Sequence, residues 1–218
     1  MADRFDLLVF DWDGTLVDSA AHIVASLQAA CRDLDLPAPS EAAARHIIGL
    51  GLHDSIRYIL PDLPESRFAQ VAERYSAHYL SGEQKVRPFP NVEEGLARLE
   101  QAGYLLAVAT GKSRRGLDRV LEALGLRGRF VATRCADEGR PKPHPEMLES
   151  LMGRVGVRAD RTLMIGDTTH DLQMAANART GALAVTYGAH PEVELARFSP
   201  LAFARSFPEL LQWLEDNG

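Results

Sequence analysis

The chain of 218 residues contains only two cysteines, Cys31 and Cys135, far apart and outside any Cys-x-x-Cys spacing. That scarcity argues against a disulfide framework and a thiolate zinc site, and it suits buried thiols in a reducing cytoplasm. Positive charge is not in surplus either. Lys and Arg number 24 against 30 Asp and Glu, a formal net charge of −6. Binding a phosphate backbone needs a basic face, so no nucleic-acid partner is expected. No apolar run approaches the roughly 20 residues of a membrane span, so no membrane partner is expected. The opening Met1-Ala2-Asp3-Arg4-Phe5-Asp6 lacks the basic head and apolar stretch of a signal peptide. Internal repeats and low-complexity tracts are missing, and no feature sets an oligomeric state. These absences leave a cytoplasmic globular chain with 46% hydrophobic and 25% charged residues. It is long enough for one large domain or a core with an insert.

What the sequence does have is alternation. Leu7-Leu8-Val9-Phe10 is an apolar run that stops abruptly at Asp11, as a buried central strand would. Similar runs recur at 104–109, 130–133, 162–165 and 182–186, mostly followed by a polar or glycine-containing turn and a helical pattern. This predicts an α/β fold with a parallel sheet covered by helices. Ligands in such folds sit beyond the carboxyl ends of the strands, so the polar residues just after each run matter most. The stretch from Ala20 to Gln84 differs. Ile23, Leu27, Ala30 and Leu34 follow helical spacing, as do Phe68, Val71, Tyr75 and Tyr79. Ser40 suits a helix N-cap and Gly49 a helix stop. This length exceeds a single crossover helix and predicts a small inserted helical domain. Pro88-Phe89-Pro90 marks the return, with Asn91 and Glu94 expected to form a capping box.

Four segments carry candidate chemistry. Asp11-Trp12-Asp13-Gly14-Thr15 places two carboxylates one residue apart on a glycine turn. They can share a hard cation such as magnesium, or divide between attack on phosphorus and proton transfer. The same residues also suit an ordinary turn or cap. Gly166-Asp167-Thr168-Thr169-His170-Asp171 sets two carboxylates on one face of a helix start, or simply an N-cap. Thr110-Gly111-Lys112-Ser113 ends like a P-loop, but Leu106 stands where that motif needs glycine. What remains is a hydroxyl and flexible amides able to cradle phosphate, or a capped turn. Lys142 lies between Pro141 and Pro143, either as a surface charge or as the rigidly presented cation that an anionic site requires.

Taken in order, these segments resemble the motifs of the haloacid dehalogenase-like superfamily, whose members are mostly phosphatases, and the resemblance spans essentially the whole chain. It implies a Rossmann-like three-layer α/β/α core over residues 1–17 and 86–218, with a helical cap domain at 18–85. It implies Asp11 as nucleophile and magnesium ligand, and Asp13 as general acid/base with its backbone carbonyl on the metal. Thr110, Gly111 and Lys142 would hold the phosphoryl group. Asp167 would be the third metal contact, with Asp171 a ligand or a support behind the ligands. The cofactor implied is Mg2+ and the partner a small phosphorylated metabolite.

Asp13 also narrows the chemistry within the superfamily. Dehalogenases lack a carboxylate there, because an alkyl halide has no leaving oxygen to protonate. Phosphate ester hydrolysis is expected, with phosphoryl transfer to a sugar phosphate and a non-catalytic role as the rivals. The overall pattern is closest to phosphoglycolate phosphatases. Trp12 replaces the commoner Phe or Met, and its side chain is expected to point away from the face of Asp11 and Asp13. Substrate reading is expected in the insert, from Gly49 and His53, with Arg45 or Arg57 as further candidates.

Overall fold

In a computed structural model that describes residues 4–218, Leu7-Leu8-Val9-Phe10 forms strand β1 (Leu7–Phe10), buried at all four positions. The leader reading that involves Met1–Asp3 lies outside the described residues. A tight turn leads to β2 (Val17–Asp18) and then to α1 (Ala20–Asp33), α2 (Glu41–His46), α3 (Leu52–Ile59) and α4 (Phe68–Gly82). The chain returns through β3 (Arg87–Pro88), which pairs antiparallel with β2. Strands and helices then alternate: α5 (Val92–Gln101), β4 (Leu105–Thr110), α6 (Arg114–Ala123), β5 (Ala132–Cys135) and α7 (Glu146–Val155). The remainder is β6 (Thr162–Gly166), α8 (Thr169–Ala178), β7 (Gly181–Val185), α9 (Glu192–Leu195), β8 (Phe203–Ala204) and α10 (Phe207–Asn217).

The main sheet runs β5-β4-β1-β6-β7-β8, parallel throughout. β1 is central, with Phe10 opposite Val108 on one side and Ile165 on the other. Side chains alternate across a strand, so the two faces feed two cores. Leu8, Phe10, Leu106, Val108 and Ile165 pack with residues of α5, α6 and α10. Leu7, Val9, Ala107, Ala109 and Met164 pack with α7 and α8. The result is the expected three-layer α/β/α arrangement.

Helices α1 to α4 lie outside the sheet and pack mostly on one another. Val24 and Leu27 of α1 meet Ala44 and Ile47, while Cys31 meets Ile56, Phe68 and Val71. Ser40 caps α2 by accepting from the Ala43 amide at 3.2 Å. Both cysteines are buried and free, and burial pushes each thiol above its usual range. Among the described residues no helix is long and apolar enough to cross a membrane.

Several expectations differ in detail. Asn91 precedes α5 with φ of 68°, in the left-handed region, and its side chain caps nothing, so the capping box with Glu94 does not form. An N-cap side chain reaches the helix amides from extended backbone, which Asn91 does not have. The strand expected at 130–133 spans Ala132–Cys135, and Phe130 packs edge-on against Trp12. The two-residue strands β2, β3 and β8 are too short to show any periodicity.

The burial of β1 sets a direct expectation. Leu8→Ala, at a position with no solvent exposure, should lower stability by about 2–5 kcal/mol in urea denaturation. Val193→Ala, 71% exposed, should shift it by less than about 0.5 kcal/mol.

Candidate active site

Asp11 follows β1 directly, and its amide donates to the Ile165 carbonyl at 2.9 Å, which extends the ladder by one residue. Thr110 ends β4 and Asp167 follows β6, the strands on either side of β1. Three separate segments therefore deliver their polar residues to one point on the sheet edge. After Asp11 the chain turns sharply: the amides of Leu16 and Val17 both donate to the Trp12 carbonyl. Gly14 sits in this turn at φ of 84°, and a Cβ there would lie 2.1 Å from Asp167 Oδ2. Glycine is needed for the backbone angle and for the room. Trp12 points to the other side, into the core with Phe130.

Lys142 is fully buried. Its Nζ donates to Asp11 Oδ1 at 2.7 Å and to Asp171 Oδ1 at 2.6 Å. Asp171 is held from behind, because its Oδ2 accepts from the Thr168 amide at 3.1 Å and the Thr168 hydroxyl at 2.7 Å. Thr168 caps α8 in return. The capping reading of this segment thus holds for Thr168 and Asp171, whereas Asp167 is free of it. Asp167 Oδ1 accepts from Thr15 Oγ1 at 2.8 Å and Oδ2 from the Ala189 amide at 2.7 Å. Asp11, Asp167 and Asp171 each bring an oxygen within 4.8 Å of the others, all from buried side chains. Asp11 Oδ2 is buried without a hydrogen-bond partner among the described residues.

The charge balance explains the electrostatics. Burial disfavours the carboxylate form of Asp11 and raises its pKa well above the usual range, against the pull of Lys142. Burial and the neighbouring Asp171 push Asp167 up to about 7. Burial works against the charge of Lys142 too, but Asp11 and Asp171 outweigh it and hold the amine protonated. One ammonium faces three carboxylates. A hard divalent cation would supply the missing positive charge, and the all-oxygen donor set with one partnerless oxygen fits such an ion.

Asp13 stands apart from that group. Its Oδ1 accepts from Ser19 Oγ at 2.7 Å and lies 3.2 Å from Lys112 Nζ. A cavity of ≈ 320 Å³ opens beside it, lined by Ile48, Gly49, Tyr79, Gly111, Lys112 and Arg115 among others. The insert comes close here. A Cβ on Gly111 would meet the carbonyls of Leu50 and Gly49 at 2.5 and 2.6 Å. Thr110 is buried, and its hydroxyl accepts from the Lys112 amide at 3.1 Å.

Of the insert residues predicted to read substrate, only Gly49 lines the cavity. His53 and Arg57 both pair with Glu65 on the exposed side of α3, because the helix turns Ser55 and Ile56 inward. Arg45 pairs with Glu41. Sequence reasoning missed Lys112 beyond the failed P-loop match, and it missed three histidines where the insert meets the sheet. His170 Nε2 and His190 Nε2 both contact the His46 carbonyl, at 2.7 and 3.1 Å. Three positions so far apart carry no sequence signal. The His46 and His190 rings stack 5.2 Å apart at 8°.

A family model described as haloacid dehalogenase-like hydrolase matches residues 8–185. The protein named "Probable phosphatase IndB" of Dickeya dadantii is 40% identical over 210 residues, 94% of this chain and 91% of that one. A phosphoglycolate phosphatase of Mannheimia succiniciproducens is 33% identical over 223 residues, 97% of this chain and 99% of its own. The crystal structure of a "predicted phosphoglycolate phosphatase" from Haemophilus somnus superposes with a TM-score of 0.84 at 28% identity, covering 97% and 99% of the two chains. With its motifs gathered at one sheet edge and its relatives matched along nearly their whole length, the chain belongs to the haloacid dehalogenase-like hydrolase family, among its phosphatases.

Proposed function

We propose that the chain hydrolyses a small phosphate monoester in two steps, with the phosphoryl group carried in between on Asp11. The observation that carries this reading is the Asp11 carboxylate, fully buried, fixed at one oxygen by Lys142 and, among the described residues, unpartnered at the other. A structural carboxylate in such a place would have its lone pairs satisfied.

In the first step Asp11 attacks phosphorus and the ester P–O bond breaks. Asp13 donates its proton to the departing oxygen. Lys142, the Thr110 hydroxyl and the Gly111 amide hold the phosphoryl oxygens as charge shifts among them. In the second step Asp13, now ionised, takes a proton from water, and that water attacks the acyl phosphate. Inorganic phosphate leaves and Asp11 is restored. Mg2+ held by Asp11 and Asp167, with Asp171 supporting, would offset the repulsion between carboxylate and phosphate. Residues 18–85 act as a cap over a core of 1–17 and 86–218, which keeps bulk water away and limits substrate size. Gly49 contributes to substrate reading from that cap, while His53 faces Glu65. Phosphoglycolate, which gives relatives such as that of Mannheimia succiniciproducens their name, is the first substrate to assay.

Two expectations follow from this site. Exhaustive chelation should abolish turnover and Mg2+ should restore it, whereas full activity without a divalent cation would overturn the cofactor assignment. Because Asp167 is held up to about 7, protons compete with the cation below that pH. The apparent Mg2+ affinity should therefore weaken on going from pH 8 to pH 6, as titration at the two values would read.

The two carboxylates of the first motif should separate cleanly. Asp11→Asn should abolish turnover and carry no phosphoryl group. Asp13→Asn should lose about 10²–10⁴-fold in steady-state rate. With 4-nitrophenyl phosphate, whose leaving group needs no proton, it should accumulate phosphate on Asp11, visible by mass spectrometry of the quenched protein. Label on a serine, threonine or histidine would refute the mechanism.

A further inference from the structure

Asp13 must exchange a proton in both steps, so its carboxylate needs aim as well as reach. Two side chains hold it, and both hold the same oxygen. Ser19 Oγ donates to Oδ1 at 2.7 Å, and Lys112 Nζ lies 3.2 Å from Oδ1. Among the described residues nothing hydrogen-bonds to Oδ2, and Asp13 lines the cavity where an ester would lie. The lysine therefore occupies one oxygen of Asp13 and leaves the other for proton exchange.

Lys112 is itself held from the insert. Its Nζ donates to Tyr79 Oη at 2.9 Å and lies 4.5 Å from the centroid of the Tyr79 ring. Tyr79 belongs to α4, and its backbone carbonyl contacts His22 Nε2 of α1 at 2.8 Å. The Lys112 amide donates to the Thr110 hydroxyl at 3.1 Å. One residue thus touches the phosphate cradle, the acid/base and the cap. Its side chain is only 11% exposed, so these contacts are poorly screened and hold it in one place. A surface lysine at a helix start would reach for solvent.

Building on the phosphatase reading, we infer that Lys112 is a positioning residue which aims the Asp13 carboxylate and, through Tyr79, makes that aim depend on the cap being docked. When α4 sits over the sheet, the ammonium is held by a phenol on one side and by Asp13 on the other. When α4 withdraws, Lys112 loses the phenol and gains water, and its hold on Asp13 loosens. Proton transfer is then competent only in the closed molecule, where water is excluded and a substrate is enclosed. The lysine that a P-loop would spend on phosphate here serves a carboxylate.

The test is rapid-mixing kinetics with 4-nitrophenyl phosphate and Mg2+, alongside steady-state turnover of an alkyl phosphate. Nitrophenolate leaves unprotonated, so formation of phospho-Asp11 needs Asp13 little, whereas its hydrolysis needs Asp13 as base. Lys112→Met should keep a nitrophenol burst near one per site while steady-state turnover falls about 10–100-fold, the range a small misplacement of a catalytic group produces. Alkyl phosphate turnover should fall further, since both steps then need the proton. Lys112→Arg should recover part of the loss. Tyr79→Phe, a milder change that keeps the ring, should show the same pattern with a smaller loss.

In an Asp13→Asn background, Lys112→Met should add nothing to the loss in phospho-enzyme hydrolysis, because its effect runs through Asp13. An equal further loss in that background would overturn the inference, as would a raised KM with kcat unchanged. Either result would make Lys112 a substrate contact. If Lys112→Met does not fold, Lys112→Arg and Tyr79→Phe still decide, and wild-type kinetics in Tyr79→Phe would remove the coupling to the cap. Absence of turnover in the wild-type protein would instead defeat the phosphatase reading itself.

Discussion

The site depends on one buried cation, the ammonium of Lys142 clamped between Asp11 and Asp171 with essentially no solvent exposure. Removing charges from water costs several kcal/mol each, and buried ion pairs seldom stabilise a fold better than apolar packing would. Three carboxylates around one lysine are therefore poorly explained as structure. They suit the proposed site, a pocket whose charge a metal ion and a phosphate would complete. The fold tolerates the arrangement because each carboxylate is tied elsewhere: Asp171 by Thr168, Asp167 by Thr15 and the Ala189 amide. Asp11 is the exception, with one oxygen left without a hydrogen-bond partner among the described residues.

The sheet makes this convergence possible. β1 lies between β4 and β6, so residues 98 and 155 positions apart in the chain, such as Leu7 with Leu105 and Leu7 with Thr162, run side by side. The turn after β1 is narrow enough that Gly14 lies against Asp167, and the 49–51 loop of the insert presses on Gly111. Backbone approaches this close leave no room for a side chain, which fixes the site's shape without any polar contact. Gly49, Leu50 and Tyr79 of the insert line the cavity beside Asp13, while its helices pack their apolar faces on one another.

Sequence and structure agree where physics is local or repeated. The run Leu7–Phe10 ending at Asp11, the helical spacing of Ile23, Leu27 and Ala30, and the glycine-bearing turns all report burial or backbone angle directly. The family resemblance singled out Asp11, Asp13, Thr110, Lys142 and Asp167, all of which the fold buries near one sheet edge. What stayed hidden was pairing across the fold. Nothing near Lys112 shows that it meets Asp13 and Tyr79, and nothing near His53 shows that it faces outward to Glu65. Asn91 has the right residue type for a cap but the wrong backbone angle, which no pattern of residue types reveals.

The two carboxylates of the first motif show how small a sequence separation can divide two environments. Asp11 and Asp13 lie on the same strand exit, yet their partners differ in kind. Asp11 is fully buried against Lys142, which cannot give up its proton among those carboxylates, so Asp11 has charge stabilisation but no route for proton exchange. Asp13 borders the cavity, held at one oxygen by Ser19 and Lys112. A nucleophile needs to be ionised and fixed, whereas an acid/base needs access to a leaving group and then to water. The turn from Trp12 to Val17 enforces the difference: it sends Trp12 into the core and leaves Asp13 on the rim. In the proposed mechanism the division of labour between the two aspartates would therefore reside in the turn and its neighbours and not in the residue type.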